Sequence, residues 1–363
     1  MANHRILLIG AGVIARFHAK AAGKLPHPVE LWAADPSAAA REQFLEQFPG
    51  SRLFEDHRAM LREPARNGDI VVVATPPLAH HEPTITGLNS GRHVLCEKPL
   101  ALNTQQAREM LAAAKKNDRL LGCCSTRFLG IATNEHVKRL LSRGELGELY
   151  HVTWVHRQQR MRPGIEYQPA SVWFTDKRIS GGGCVMDWGP YDFAALNDVL
   201  QPRRVEVLQA WMNRPVTEID SQVPVMDVEH HAAVMMRYTL AGGRRVDVSY
   251  ERAACTHGGV RQIAEIEGTR AAVQWDWQAW KERPEVTVTT DRGGKPHGEL
   301  FEFDRDPSLH PHDRPVVYFD RAVRGEGGPA LVNERALFNF SCIRAVYDAA
   351  ANGRPQVVEL EVS

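Results

Sequence analysis

The sequence is poor in the features that would make it a disulfide-stapled, zinc-bound, membrane or nucleic-acid-binding protein. Its six cysteines are Cys96, Cys123, Cys124, Cys184, Cys255 and Cys342. None forms a CxxC pair, and their spacing matches no zinc motif. Reduced thiols and no bound metal are therefore expected. Net charge is absent, with 44 basic against 44 acidic residues, and no block of one sign stands out. Nothing favours a nucleic-acid partner. No apolar run approaches the roughly 20 residues that span a bilayer, so no membrane partner is expected. Low-complexity tracts and internal repeats are missing too. The opening MANHRILLIGAG enters a strand pattern at once rather than a signal-peptide pattern. The expectation is a cytoplasmic protein.

What is present is a chain of 363 residues, 43% hydrophobic, long enough for two ordinary domains. Up to about residue 125, strands and helices alternate. RILLIG (5–10), VELWAA (29–34), DIVVVAT (69–75), RHVLCE (92–97) and RLLGCC (119–124) are continuous apolar runs, as a parallel sheet covered on both faces requires. In the helix at 13–25, Ile14, Phe17 and Ala21 share a face, and Ser37 is a candidate cap for the helix at 37–48. Further helical segments lie near 79–90 and 104–117. The expected first domain, 1–125, is a doubly wound α/β (Rossmann) fold. The second, 126–363, carries many alternating strands joined by hairpin turns such as AGG (241–243) and GTR (268–270). It is expected to be α+β, built on an open, mostly antiparallel sheet, with helices at 133–143, 190–200 and 333–352.

Gly10-Ala11-Gly12-Val13-Ile14-Ala15 reads GxGxxA between a strand and a helix. The first glycine permits a tight turn and the second lets a pyrophosphate approach the backbone. The helix N-terminus then offers amide donors and a positive dipole. Asp35 ends the next strand, where a carboxylate accepts from both ribose hydroxyls and repels a 2′-phosphate. NAD is thus expected over NADP. Arg41, a few residues on, keeps NADP open, and the blander role for Asp35 is to start a turn with Pro36.

Lys98 follows a parallel strand at its carboxyl end, where open α/β sheets bind ligands. Pro99 biases its backbone toward an extended conformation. The alternative is a surface ion pair. Farther on, GGGCVMDWGPYDF (181–193) sets Asp187 and Tyr191 four apart, on one face of a helix. Either they face a substrate, or Asp187 caps the helix and Tyr191 packs in the core. The three glycines are expected to bring this backbone close to the cofactor.

Together, GxGxxA, ATPPLAH (74–80), EKP (97–99) and GGGxxxDxGxY (181–191) resemble the Gfo/Idh/MocA oxidoreductases, the family of glucose–fructose oxidoreductase and inositol dehydrogenase. The resemblance runs in order along nearly the whole chain. It implies that Gly10, Gly12, Val13, Ile14, Asp35, Thr75, Pro76, His80, Glu97 and Lys98 meet the cofactor. It also implies that Lys98 lies between nicotinamide and substrate, and that Asp187 and Tyr191 face a sugar. Many relatives have histidine where this chain has Tyr191, which leaves the identity of the base open. Arg127 either contacts substrate or makes an ion pair at the domain junction. Trp173 precedes the glycines on a segment placed to cover the site.

The implied reaction moves a hydride between nicotinamide and a secondary hydroxyl or ketone of a sugar, glycoside or cyclitol. Lysine and tyrosine have reference pKa values of about 10, so either acts as a base at neutral pH only where its surroundings favour the deprotonated form. Lys98 and Tyr191 are expected to handle the proton as a pair, with Asp187 orienting the hydroxyl. Two rivals stand beside this: an NAD-dependent, redox-assisted glycoside hydrolase, and a non-catalytic dinucleotide-sensing regulator. The resemblance also implies a homodimer or homotetramer formed through the open sheet.

Overall fold

The computed structural model describes residues 4–159, 169–216, 219 and 221–361. It contains two compact units, each with its own sheet.

The first unit takes the chain up to Arg127 and, after a long excursion, residues Pro307–Phe340. Its strands and helices alternate: β1 (His4–Ile9), α1 (Val13–Ala22), β2 (Val29–Ala34), α2 (Ala38–Gln47), β3 (Arg52–Phe54), α3 (His57–Leu61), β4 (Ile70–Val73), α4 (His81–Asn89), β5 (His93–Cys96), α5 (Thr104–Lys116) and β6 (Leu121–Cys123). The strands form one parallel sheet in the order β3-β2-β1-β4-β5-β6. This is the expected doubly wound fold, and the apolar runs are buried for the expected reason: all four residues of β4 lie in the core. Ser37 caps α2 by accepting from the Ala40 N–H at 3.3 Å, as its position suggested. The buried face of α1 differs from the expected one. Ala15, His18, Ala19 and Ala22 turn inward along with Ala21, while Phe17 stays 39% exposed. Small residues let this helix lie close on the sheet, and a histidine goes in with them.

The second unit covers Phe128–Asp306 and resumes at Ser341. It holds α6 (Ala132–Ser142), β7 (Leu149–Arg157), α7 (Lys177–Ser180), α8 (Cys184–Leu200), β8 (Arg204–Asn213), β9 (His231–Thr239), β10 (Arg245–Ala253), β11 (Arg261–Gly268), β12 (Ala271–Trp275), β13 (Glu285–Asp291) and β14 (Pro296–Glu302). The chain then forms α9 (Arg314–Val323) in the first unit, α10 (Asn333–Asn352), and β15 (Gln356–Glu359) back in the second. The nine strands run β14-β13-β12-β11-β7-β10-β9-β8-β15. Among the described residues every neighbouring pair but β7–β10 is antiparallel. Strand alternation matches one covered face: β10 reads buried at Val246, Val248 and Tyr250, with half-buried residues between.

Two differences from the sequence reading matter for the site. The division into 1–125 and 126–363 is not linear, because 307–340 belongs to the first unit. There α9 places Val316 and Phe319 in the core beside Leu8, Val72 and Leu95. In addition, α8 begins at Cys184 rather than near 190 and carries Pro190 inside it. That proline costs one backbone hydrogen bond within the helix.

Candidate active site

In the first unit the glycine loop has the form its sequence demands. Gly10 has φ +100°, a region side chains rarely adopt, and a Cβ there would sit 2.6 Å from the Ala74 carbonyl oxygen. A Cβ at Gly12 would meet no described atom within 4 Å. The N-terminus of α1 has no side-chain cap, and Val13 beside it is 62% exposed. Its amides are thus open to an anion. Asp35 braces the loop, accepting from the Ala11 N–H and the Ser37 N–H, each at 2.8 Å. Arg41 is occupied locally, donating to the Asp35 carbonyl at 2.6 Å and pairing with Glu55. Open backbone, small residues and a carboxylate at the end of β2 fit a dinucleotide.

After β4, the Thr75 hydroxyl donates to the Ala79 carbonyl at 2.9 Å, and Pro76 is exposed. His80 is fully buried, with Nε2 2.9 Å from the Thr75 carbonyl and Nδ1 2.8 Å from the Pro99 carbonyl. Burial, opposed by these carbonyls, lowers its pKa. His80 therefore ties the Thr75 turn to the Lys98-Pro99 turn and presents no free imidazole.

At the end of β5, Glu97 is 4% exposed. One carboxylate oxygen lies 2.8 Å from His18 Nε2, and the other accepts the Lys98 backbone N–H at 2.9 Å. Arg127 lies 3.8 Å away. Burial alone would raise the pKa of this acid, but His18, Arg127 and Lys98 together hold it well below the usual carboxylate range. Arg127 is thus an ion-pair partner inside the first unit, and its carbonyl accepts from Arg314 at 2.9 Å. Lys98 itself is half-buried. His18, Glu97 and Cys124 could converge on an ion, yet His18 and Glu97 sit at hydrogen-bond distance, closer than the roughly 3.3 Å between neighbouring ligands of a tetrahedral zinc. His312 stacks on Phe17 at 4.5 Å. Burial, with Arg127 nearby, takes it down to about 3.

In the second unit, α8 presents Asp187 in its first turn and Tyr191 one turn later, 8% and 2% exposed. Asp187 is not the cap. That role falls to Glu229, which accepts from the N–H groups of Gly183 at 2.8 Å and Val185 at 3.0 Å and from the Tyr347 hydroxyl at 2.7 Å. A carboxylate suits a helix N-terminus. Two of the three glycines have a cause inside the second unit. A Cβ on Gly182 would fall 2.1 Å from the Tyr347 hydroxyl, and one on Gly183 1.8 Å from the Glu229 carbonyl oxygen. Gly182 and Gly183 fit there because the helix entry is packed against its own unit. Next to Tyr191, Asp192 is fully buried. It accepts from Arg252 Nε at 2.9 Å, the Tyr250 hydroxyl at 2.8 Å and Trp154 at 3.3 Å. Tyr191 itself meets Phe128 and Trp188 edge-on at 5.4 and 5.7 Å. Trp173 stacks on Phe174 at 3.9 Å. Glu229, Asp192, Arg252 and His18 escaped the sequence reading. GxGxxxxxH places His18 on α1, but nothing local marks a buried partner for it.

Comparisons with known proteins bear on the family and the fold. Residues 4–124 match the model of an oxidoreductase family with an NAD-binding Rossmann fold, and residues 134–293 match the GFO/IDH/MocA C-terminal domain. Among curated relatives, the D-glucoside 3-dehydrogenase of Escherichia coli (strain K12) is 33% identical over 187 residues, about half of each chain (51% and 50%). The inositol 2-dehydrogenase of Arthrobacter sp. (strain FB24) is 25% identical, covering 98% of this chain and 96% of its own. Levoglucosan dehydrogenase in complex with NADH shares the fold, with TM-score 0.79 at 17% identity over 99% of this chain and 100% of that one. Among the described residues no helix is long and apolar enough to cross a membrane.

Proposed function

Since the chain belongs to the Gfo/Idh/MocA oxidoreductases, an NAD-binding family, we propose that it oxidises a secondary hydroxyl of a sugar, glycoside or cyclitol, or reduces the matching ketone. The observation that carries this reading is the first unit's pairing of an open dinucleotide loop with a lysine braced at the end of β5. The relatives named for glucosides and inositol support the substrate class.

Gly10, Gly12, Val13 and Ile14 would hold the pyrophosphate through backbone amides. Asp35 would accept from the adenosine ribose while keeping the loop in place. Thr75 and Pro76 would line the path toward the nicotinamide, ordered from behind by His80. Bound NAD supplies the hydride acceptor. The chain's own residues handle the rest of the reaction. Asp187 binds and orients the substrate hydroxyl, and Lys98 and Tyr191 share its proton, which leaves as the carbonyl forms. For each alcohol oxidised, one proton passes to the protein and then to water, and bound NAD would take up the hydride. Arg127 and Trp173 enter as candidate substrate contacts.

The quaternary proposal is a homodimer or homotetramer through the uncovered face of the large sheet. Trp211 and Met235 stand on that face, 49% and 39% exposed.

The test is absorbance at 340 nm with NAD or NADP and a panel of D-glucose, methyl β-D-glucoside, levoglucosan and myo-inositol. NADH formation that disappears in Lys98→Ala is the expected result. Glycoside cleavage that needs NAD but yields no net NADH would replace this reading with the redox-assisted hydrolase. Tight NADH binding without turnover on any substrate would replace it with the regulator.

A further inference from the structure

The face that α1 turns toward the sheet is built of alanines, with one histidine among them. His18 is 1% exposed. A buried imidazole is costly unless it is hydrogen-bonded, and this one spends its Nε2 on Glu97 Oε1. The same carboxylate uses its other oxygen to accept the backbone N–H of Lys98. The result is a chain of hydrogen bonds from the helix of the glycine loop to the residue assigned to proton transfer. Both links are short, at 2.8 and 2.9 Å, and the His18–Glu97 link is buried. The charged and titratable groups that face Glu97 include His18, Arg127 and Lys98, together with His80, His312, Cys96, Cys123 and Cys124, and the Cys124 thiol lies 3.9 Å from His18 Nε2. Arg127, at 3.8 Å, is beyond hydrogen-bond range and lends charge rather than direction. Direction comes from His18.

We propose that His18 is a positioning residue for Lys98: it fixes the rotamer of Glu97, and Glu97 fixes the backbone from which the Lys98 ammonium is aimed. This rests on the assignment of Lys98 to proton transfer. The inference goes beyond it by placing part of the catalytic geometry on the cofactor-binding helix, far from the reacting atoms in sequence. If His18 lost its hydrogen bond, Glu97 would keep its burial but not its orientation. Lys98 would then sample positions away from the substrate hydroxyl. Misplacement of a reacting group by about 1 Å costs up to about 100-fold in rate.

The experiment compares His18→Gln and His18→Asn in the full-length protein, with Lys98→Met alongside. A glutamine amide N–H reaches about where Nε2 lies, whereas asparagine is one carbon short. Turnover is measured with NAD on methyl β-D-glucoside, levoglucosan and myo-inositol, and NADH affinity by fluorescence titration. His18→Asn should lower kcat by about 10- to 100-fold, with NADH affinity and KM within about threefold of the parent. His18→Gln should stay within about threefold of the parent in all three. Lys98→Met should be inactive. The comparison uses two polar variants, so it does not depend on an alanine variant folding. Normal kcat in His18→Asn beside an inactive Lys98→Met would overturn the role of His18 and leave that of Lys98 standing. A fall in NADH affinity that matches the fall in kcat would overturn it too, by showing a role in binding instead. An active Lys98→Met would overturn both.

Discussion

Arg252 and Asp192 form a salt bridge inside the second unit with side chains 2% and 0% exposed. Asp192 is the residue after Tyr191, so the pair anchors the very turn of α8 that carries the proposed proton-transfer group. Such a pair is weak evidence for net stability, but breaking it is expensive because one charge stays behind.

Arg252→Met should therefore destabilise the protein by about 3–5 kcal/mol, read as a lower urea midpoint. Adding Asp192→Asn to that variant removes the orphaned charge and should recover part of the loss. A single variant as stable as the parent would show that α8 is anchored elsewhere.

Two glycines should respond in opposite ways to a single added methyl group. Gly183→Ala drives its Cβ into the Glu229 carbonyl, so a loss of about 1–3 kcal/mol is expected from forced backbone shifts. Gly12→Ala adds its methyl to open space and should leave the melting temperature unchanged while weakening NADH binding, because it occupies the pyrophosphate's approach. Thermal melts with and without NADH separate the two effects.

Glu97 makes stability depend on acid in a defined direction. Its folded pKa is depressed, so its ionised form contributes stability at pH values above the unfolded reference of about 4.3. That contribution shrinks as pH falls below this value toward the folded pKa. The stability gap between the parent and Glu97→Gln should therefore be widest near neutral pH and close on acidification. Denaturant curves from pH 7 to pH 3 check this, and a gap that widens with acid would contradict the charge assigned to Glu97.

If the bare sheet face joins protomers, a charge there should separate them. Trp211→Glu with Met235→Glu is expected to shift the molar mass in light scattering from an oligomer to a monomer. An unchanged mass would move the interface elsewhere.

The parts of this molecule that were legible in sequence are those whose chemistry is confined to one turn. The glycine loop, Asp35 at the end of β2 and the Glu97-Lys98-Pro99 turn each declare themselves over a few residues, because a tight turn and a phosphate cradle demand fixed spacing. What escaped depends on partners far along the chain. Glu229 caps a helix 46 residues before it, and Arg252 reaches Asp192 across 60. Neither spacing is periodic. The glycine triplet was noticeable, but the sequence does not separate close approach to a ligand from close approach to Tyr347, which at Gly182 calls for the same missing Cβ. On α1, helical spacing grouped Phe17 with Ile14 and Ala21. The sheet instead accepts alanines and His18, because close approach favours small side chains and His18 has a buried carboxylate to meet.

The return of residues 307–340 to the first unit has a consequence for the order of synthesis. A ribosome delivers all six parallel strands within the first 123 residues. Gly122, however, packs against Phe319, the Cys123 N–H donates to the Leu331 carbonyl at 3.0 Å, and the Leu121 N–H donates to Asn333 at 2.9 Å. The last strand of the nucleotide-binding sheet therefore waits, uncovered on that side, until nearly the whole chain has emerged. Domains that close early in translation protect their edges early. This one exposes an apolar strand throughout the making of its neighbour, and a nascent chain halted before residue 307 would carry every residue of the glycine loop in a sheet that lacks its final cover.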